Sequence, residues 1–302
     1  MKKLLTYLII STSVFILVSC DKPAPTQLVD DTNNELEVEL LNKNLDDQYY
    51  TSGSDTSGIT QDLTGITNLI SVSGIKITTK NRTIDLSLAQ AMFFDKSKPI
   101  RYSDGRLLAY QTITPGTIKF NGLEARKNPY EINYRDKGEL KVAVLGEKYL
   151  LYNRIWGYPD PFYFNYDSNV SFEFIPSIGG NSISFNIPTP SEINGNVILE
   201  GSKRERNISA VLQWNAKNER KISVIIGVIR HGMLSSIPVY RFRTGDDGEA
   251  KIPGRLLNEL PLDNFEKIVV TFVRSYEEYH DNGTNNLLVS SQSIHSIVID
   301  IP

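Results

Sequence analysis

The sequence predicts an all-β protein: two antiparallel β-sandwich domains behind a signal peptide and a flexible tether. Three observations lead there. From residue 61 onward, short runs alternate apolar and polar side chains with period two, separated by turn pairs that contain Gly or Asn. No segment keeps apolar residues at i, i+3, i+4 and i+7 over three turns, so no long amphipathic helix is expected. Two runs of the second half, Lys221 to Arg230 and Ile268 to Val273, are apolar on both faces and need a second sheet to cover them.

The chain opens on Lys2 and Lys3, then an apolar run from Leu4 to Val18 that ends in Leu17-Val18-Ser19-Cys20. A basic start, a short apolar core and a small residue before the cut describe a secretory signal over 1–19. The core is shorter than the roughly 20 residues of a membrane span. Its last four residues resemble the bacterial lipobox, and that resemblance implies acylation and cleavage at Cys20, the single cysteine of the chain. The expected membrane partner is therefore the bilayer, reached through a lipid on Cys20. Asp21 after the cysteine is compatible with retention facing the periplasm or with export. The expected location is the outer membrane, facing outward.

Residues 20–60 read as the tether, because Pro23, Pro25, the polar run at 30–34 and the Ser/Gly/Thr-rich run at 51–58 offer little to bury. One exception is Leu36, Val38, Leu40 and Leu41, which suit a helical turn or an edge strand docked on the body. The first β domain is expected over 61–178. Ile75 to Thr79 and Thr83 to Leu88 alternate, Asp104-Gly105, Pro115-Gly116, Asn121-Gly122 and Lys137-Gly138 mark turns, and Val170 to Pro176 closes it. Ala89 to Phe94 has room for one helical turn. The run Ser177-Ile178-Gly179-Gly180-Asn181 reads as the junction to a second domain over 179–302.

In that second domain Ile208, Ala210, Leu212 and Trp214 share one strand face. Val239 to Arg243, the turn Gly245-Asp246-Asp247-Gly248, a short helix after Pro253 and a last strand from Ile294 to Ile301 follow. Seven to nine short strands in such a span suit an immunoglobulin-like sandwich. The order of Leu212-Gln213-Trp214, Asp246-Asp247-Gly248, Ile252-Pro253, Val270 to Arg274 and Ser296-Ile297-Val298 resembles the C-terminal sandwich of surface lipoproteins of Bacteroidota-type bacteria. The first domain is similar through Pro115 to Gly122 and Trp156-Gly157. These motifs are structural and the group shares no activity, so the resemblance implies a fold and an envelope location but transfers no functional residue.

Composition narrows the function. With 32 Lys and Arg against 35 Asp and Glu, and no basic block, the chain lacks the concentrated cationic face that nucleic acid requires. One cysteine leaves no disulfide and no thiolate metal site. His231, His280 and His295 are far apart in sequence and read as surface or edge residues rather than metal ligands. No G-x-S-x-G, G-x-G-x-x-G or phosphate-binding loop occurs, and no cofactor is expected. Ser275 to Gly283, with Glu277, Glu278 and Asp281 among tyrosines, reads as a solvated loop, or as the acid pair of a carbohydrate hydrolase. Asp246-Asp247-Gly248 and Asp281 to Asn286 read as turns before they read as calcium loops.

The most unusual stretch is 149–166, where Tyr149, Tyr152, Trp156, Tyr158, Phe162, Tyr163, Phe164 and Tyr166 crowd together in a chain that is 10% aromatic overall. Such rings fill a core or an interdomain seam, or else form a platform for a glycan or a protein ligand. Trp156, Tyr158, Phe162 and Tyr163 are the candidate ligand-binding residues, because Pro159 and Pro161 keep this part out of a central ladder. The expected function is a non-enzymatic binding or adhesion module. A hydrolase with paired carboxylates and a structural envelope scaffold are the alternatives.

Overall fold

The computed structural model describes residues 26–28, 36–41, 68–153, 161–217, 221–233, 236–281 and 286–302. Cys20, Trp156 and Tyr158 lie outside them. The described chain is mostly strand, as expected from its period-two grammar. The first nine strands are β1 (Thr26–Leu28), β2 (Leu36–Leu40), β3 (Asn68–Thr78), β4 (Thr83–Arg101), β5 (Leu107–Ile113), β6 (Gly116–Phe120), β7 (Leu123–Glu124), β8 (Arg126–Asp136) and β9 (Glu139–Tyr152). The rest are β10 (Asn169–Pro176), β11 (Ile183–Pro188), β12 (Gly195–Glu200), β13 (Ser209–Trp214), β14 (Lys221–Arg230), β15 (Ile237–Gly245), β16 (Glu249–Ile252), β17 (Phe265–Asp281) and β18 (Asn286–Asp300). A short α-helix, Gly254–Asn258, follows Pro253, whose fixed φ suits a helix start.

Eleven strands join in one large sheet, in the order β1-β2-β15-β14-β17-β18-β3-β4-β9-β8, with β5 paired to β4. Two small sheets, β11-β10-β6-β7 and β12-β13-β16, complete the layers. Over the second small sheet the core is what the alternation predicted. Ile208, Ala210, Leu212 and Trp214 are buried against Val224, Ile226, Phe242, Val270 and Phe272 of the large sheet. Under the first small sheet, Ile118, Phe120, Val170, Phe172 and Ile187 meet Ile70, Val72, Ala89, Ala91 and Leu151. A third cluster, with Leu69, Met92, Ile132, Leu145 and Leu288, fills the opposite face of β3, β4 and β18.

Four sequence expectations are corrected by pairing. Ala89 to Phe94 is strand, because β4 pairs with β3 along its length and Ala89 and Ala91 are needed flat against the first core. Residues 177–181 form the turn of the β10–β11 hairpin rather than a junction, so β11 belongs with β10. The segment read as a loop after Arg274 continues as β17 to Asp281 and pairs with β18 residue by residue. Finally, β18 runs parallel to β3 from Leu287 to Ile297, so the large sheet is mixed and the last strand is laid beside the first long one.

The seam between the two cores is held by a buried ion pair. Arg274, at the end of the stretch where β17 pairs with β14, donates from Nε to Asp246 Oδ2 at 2.8 Å and from Nη2 to Asp246 Oδ1 at 2.9 Å. Its remaining N–H groups reach Ser191 Oγ (3.1 Å), the Glu192 carbonyl (3.1 Å) and the Asn215 carbonyl (2.8 Å). The Trp214 indole N–H also donates to Asp246 Oδ1, at 2.9 Å. The acidic turn considered for calcium therefore spends its first carboxylate on a guanidinium and an indole.

Two substitutions test this account. Asp246→Ala leaves the Arg274 charge buried without its partner and should cost about 3–5 kcal/mol of unfolding free energy. Trp214→Ala removes a buried ring and should cost about 3–5 kcal/mol. Because the two side chains share a hydrogen bond, the double variant measured by denaturant titration should fall short of the sum by at least about 0.5 kcal/mol. Strict additivity would refute the shared contact.

Candidate functional site

Two places concentrate chemistry in this fold: a polar seam between the cores and an apolar groove at one end of the first core. The seam is organised by the segment 189–194, which crosses from β11 to β12. Ile193 N–H donates to Ser293 Oγ at 2.8 Å, and Gly195 N–H donates to His295 Nδ1 at 2.8 Å. With Nδ1 accepting, Nε2 carries the proton and bonds Thr78 Oγ1 at 2.9 Å. Lys76 pairs with Glu192 and donates to Asn194 Oδ1 at 2.6 Å. A Cβ at position 195 would collide with the Phe272 ring, so glycine is what lets this backbone reach the histidine.

His295 is thus buried rather than a surface residue, and both ring nitrogens are committed within the chain. Burial, with the nearby Lys76 cation, holds its pKa below the ordinary histidine value against the opposing pull of Glu192 and Asp85. Tyr166 lies in the same seam, hydrogen-bonded to Ser293, and burial pushes its hydroxyl up to about 12. The Glu192 carboxyl is held below its usual range by the Lys76 ammonium. Each of these groups is occupied in holding 189–194 against β3 and β18. Among the described residues, no group of three His, Cys, Asp or Glu side chains is placed to hold a metal ion.

The groove is different in kind. Strand register sets His280, Leu287, Asn68, Phe93 and Ile113 opposite one another on β17, β18, β3, β4 and β5. Successive strands lie about 4.8 Å apart, so this floor row is about 19 Å long. The roof is the β10–β11 hairpin, where Phe172 faces Phe185 and Phe174 faces Ile183. Phe93 of the floor meets Phe174 of the roof at 5.8 Å between ring centres, and Phe172 stacks on Phe185 at 4.9 Å. The space between has a volume of about 700 Å³, and Ile70, Pro115 and Tyr279 also border it. Two large apolar side chains of its lining are exposed, Ile183 at 55% and Ile113 at 42%, while Tyr279, also exposed, alternates with His280 on the bordering edge strand.

The lip on the β17 side is polar. Beyond Val273 no described strand pairs with the outer side of β17, so Ser275 to Asp281 is a sheet edge. Its Glu277, Glu278, Tyr279 and His280 are exposed, and charge on an open edge discourages unwanted strand pairing. His280 Nε2 lies 3.2 Å from Glu278 Oε1. The acid-rich segment is therefore an edge strand flanking the groove rather than a loop.

The aromatic stretch singled out in the sequence divides. Phe162 is fully buried among Phe120 and the first core, so its expected role at a ligand surface is corrected to core packing. Tyr149 and Phe164 are buried too, and Tyr149 Oη donates to the Gly116 carbonyl at 2.6 Å. Tyr163 is open at 59% exposure, away from the lining of the groove. Trp156 and Tyr158 fall outside the described residues. Of the groove lining, only Tyr279 and His280 fall in a segment that the sequence singles out as a candidate site, although Phe172-Glu173-Phe174 and Ile183-Ser184-Phe185 show the alternation that puts rings on one face. That these two runs pair with each other across the turn at 177–181 is not visible in either run alone.

No family model, curated protein or solved structure matches this chain.

The seam predicts a pH dependence. An unfolded histidine takes up its proton near pH 6.5, whereas folded His295 resists it to lower pH. Its contribution to stability is therefore complete above about pH 6.5 and lost as pH falls through the depressed folded value. Urea unfolding from about pH 8 down to 5 should show that loss, and His295→Gln should flatten it. An unchanged slope in the variant would place the titrating group elsewhere.

Proposed function

We propose that this chain is a lipid-anchored envelope protein that acts as a binding module, and that the aromatic groove is its ligand site. One observation carries the reading: two exposed large apolar side chains, Ile113 and Ile183, line a 700 Å³ cavity together with Phe93, Phe172, Phe174 and Phe185. Water disfavours such surface, and a mostly apolar concavity of this size with a few polar groups at its edge is the usual form of a small-molecule site. Both walls are β-sheet, so the cavity is preformed, and binding costs little ordering.

In this reading, the two small sheets facing the large one are the two sandwich domains expected from the sequence, and they share that large sheet. The lipid on Cys20 ties the body to the outer membrane, facing outward, with the periplasmic face as the alternative. The hydrolase alternative needs two carboxylates facing across a cleft. The described lining of the groove contains neither Asp nor Glu, whereas its rings suit the holding of an apolar ligand.

Two measurements test the proposal. Cys20→Ser should release the protein from the membrane fraction, since a polar tether has nothing to match about 0.8 kcal/mol per buried methylene of an acyl chain. A serine variant that still sediments with membranes would refute the anchor. The uncharged fluorescent probe N-phenylnaphthylamine should bind the full chain with enhanced emission, and Phe174→Asp should weaken that binding by about 1–3 kcal/mol. Wild-type protein that leaves the probe dark would refute the groove as a ligand site.

A further inference from the structure

We propose that the groove takes a single-chain amphiphile with an uncharged hydrogen-bonding head, its tail lying towards Ile113 and its head at the His280 lip. This rests on the groove being the ligand site and adds the class and orientation of the ligand.

The floor row supplies both. Read across the sheet, it passes from imidazole (His280) through Leu287 and an amide (Asn68) to Phe93 and Ile113. Both polar residues of the row, His280 and Asn68, lie among its first three places, and its last two are Phe93 and Ile113, over about 19 Å, the spacing of five neighbouring strands. The roof is apolar throughout, for Phe172, Phe174, Ile183 and Phe185 offer only carbon to whatever lies beneath them. A groove whose polar groups gather at one end of its floor matches a linear molecule that is polar at one end. A compact polar ligand such as a sugar would leave its hydroxyls unpaired against these rings, at the cost of desolvation.

Charge then selects the head. Glu278 shares the floor face of β17 with His280, and the two side chains are within 3.2 Å. The described lining includes neither Lys nor Arg. An anionic head would meet the Glu278 carboxylate with no cation to offset its burial. A hydroxyl, ester or amide head can exchange hydrogen bonds with imidazole and amide groups and incurs no such penalty. The selected class is therefore a long-chain alcohol, an acyl ester or an acyl amide, and not a fatty-acid anion.

Displacement of N-phenylnaphthylamine from the full chain at about pH 8, where free carboxylic acids are ionised, separates these heads on one tail. Dodecanol should displace the probe at concentrations about tenfold or more below those needed for dodecanoate. Along octanol, decanol and dodecanol, affinity should rise about fourfold for each added methylene while the tail still has floor to cover. Glu278→Gln should bring dodecanoate closer to dodecanol. Ile183→Asp, at an exposed position on the wall, should weaken the alcohol about tenfold or more with no change in the unfolding midpoint. Equal or tighter binding of dodecanoate would overturn the head-group inference and leave the groove standing as a site. Absence of probe binding, or probe and alcohol binding that ignores Ile183→Asp, would overturn the groove reading and this inference together.

Discussion

The fold turns on the burial of one guanidinium. Arg274 sits where β17 leaves its partner β14 and continues alone with β18 towards the first core. A buried cation is tolerated only if every N–H finds an acceptor, and here those acceptors come from three separate pieces of chain: Asp246, the adjacent Ser191 and Glu192, and Asn215. Satisfying Arg274 therefore fixes, in one stroke, the turn after β15, the end of β13 and the crossing segment 189–194. That crossing segment joins the two small sheets, so the ion pair also sets how both of them sit over the large sheet.

From that fixed point the β17–β18 hairpin reaches into the first core. Its inner half is apolar on both faces and covered, and its outer half is exposed on β17 but buried on β18, where Leu288 and Val289 enter two different clusters. Parallel pairing of β18 with β3 brings Leu287 beside Asn68, and Phe93 and Ile113 follow in register. The groove floor is thus built from five strands that are scattered along the chain and brought into one row by backbone hydrogen bonds alone. Its roof, a single hairpin, needs only the rings on alternate positions to face down.

Seam and groove differ in what they leave open. Titratable groups crowd the seam, and perturbed pKa values there would ordinarily suggest chemistry. Yet Lys76, Glu192, His295 and Tyr166 are each engaged with a neighbour in the chain, and their shifts follow from burial and from one another. The groove has no such closure. Of its lining, Ile113 and Ile183 stand exposed to water.

Much of the local structure was legible in the order of residues. The all-β class, the buried face of Ile208 to Trp214 and the two-sided burial of Lys221 to Arg230 follow from periodicity, which is a local property, whereas Leu36 to Leu40, open between a helical turn and an edge strand, becomes a strand paired on both sides, with β1 and β15. The tertiary structure alone decided the rest. Ser290-Ser291-Gln292-Ser293 and Tyr276 to Asp281 are polar enough to read as loop, and become strand only because β3, β17 and β18 run side by side. Phe162 and Phe174 are equally aromatic in sequence, yet one is sealed in the core while the other is half-buried and lines a cavity. Sequence determines which face of a strand is apolar. What that face meets, another sheet or open water, depends on pairings between segments as much as two hundred residues apart, and those leave no mark on either segment alone.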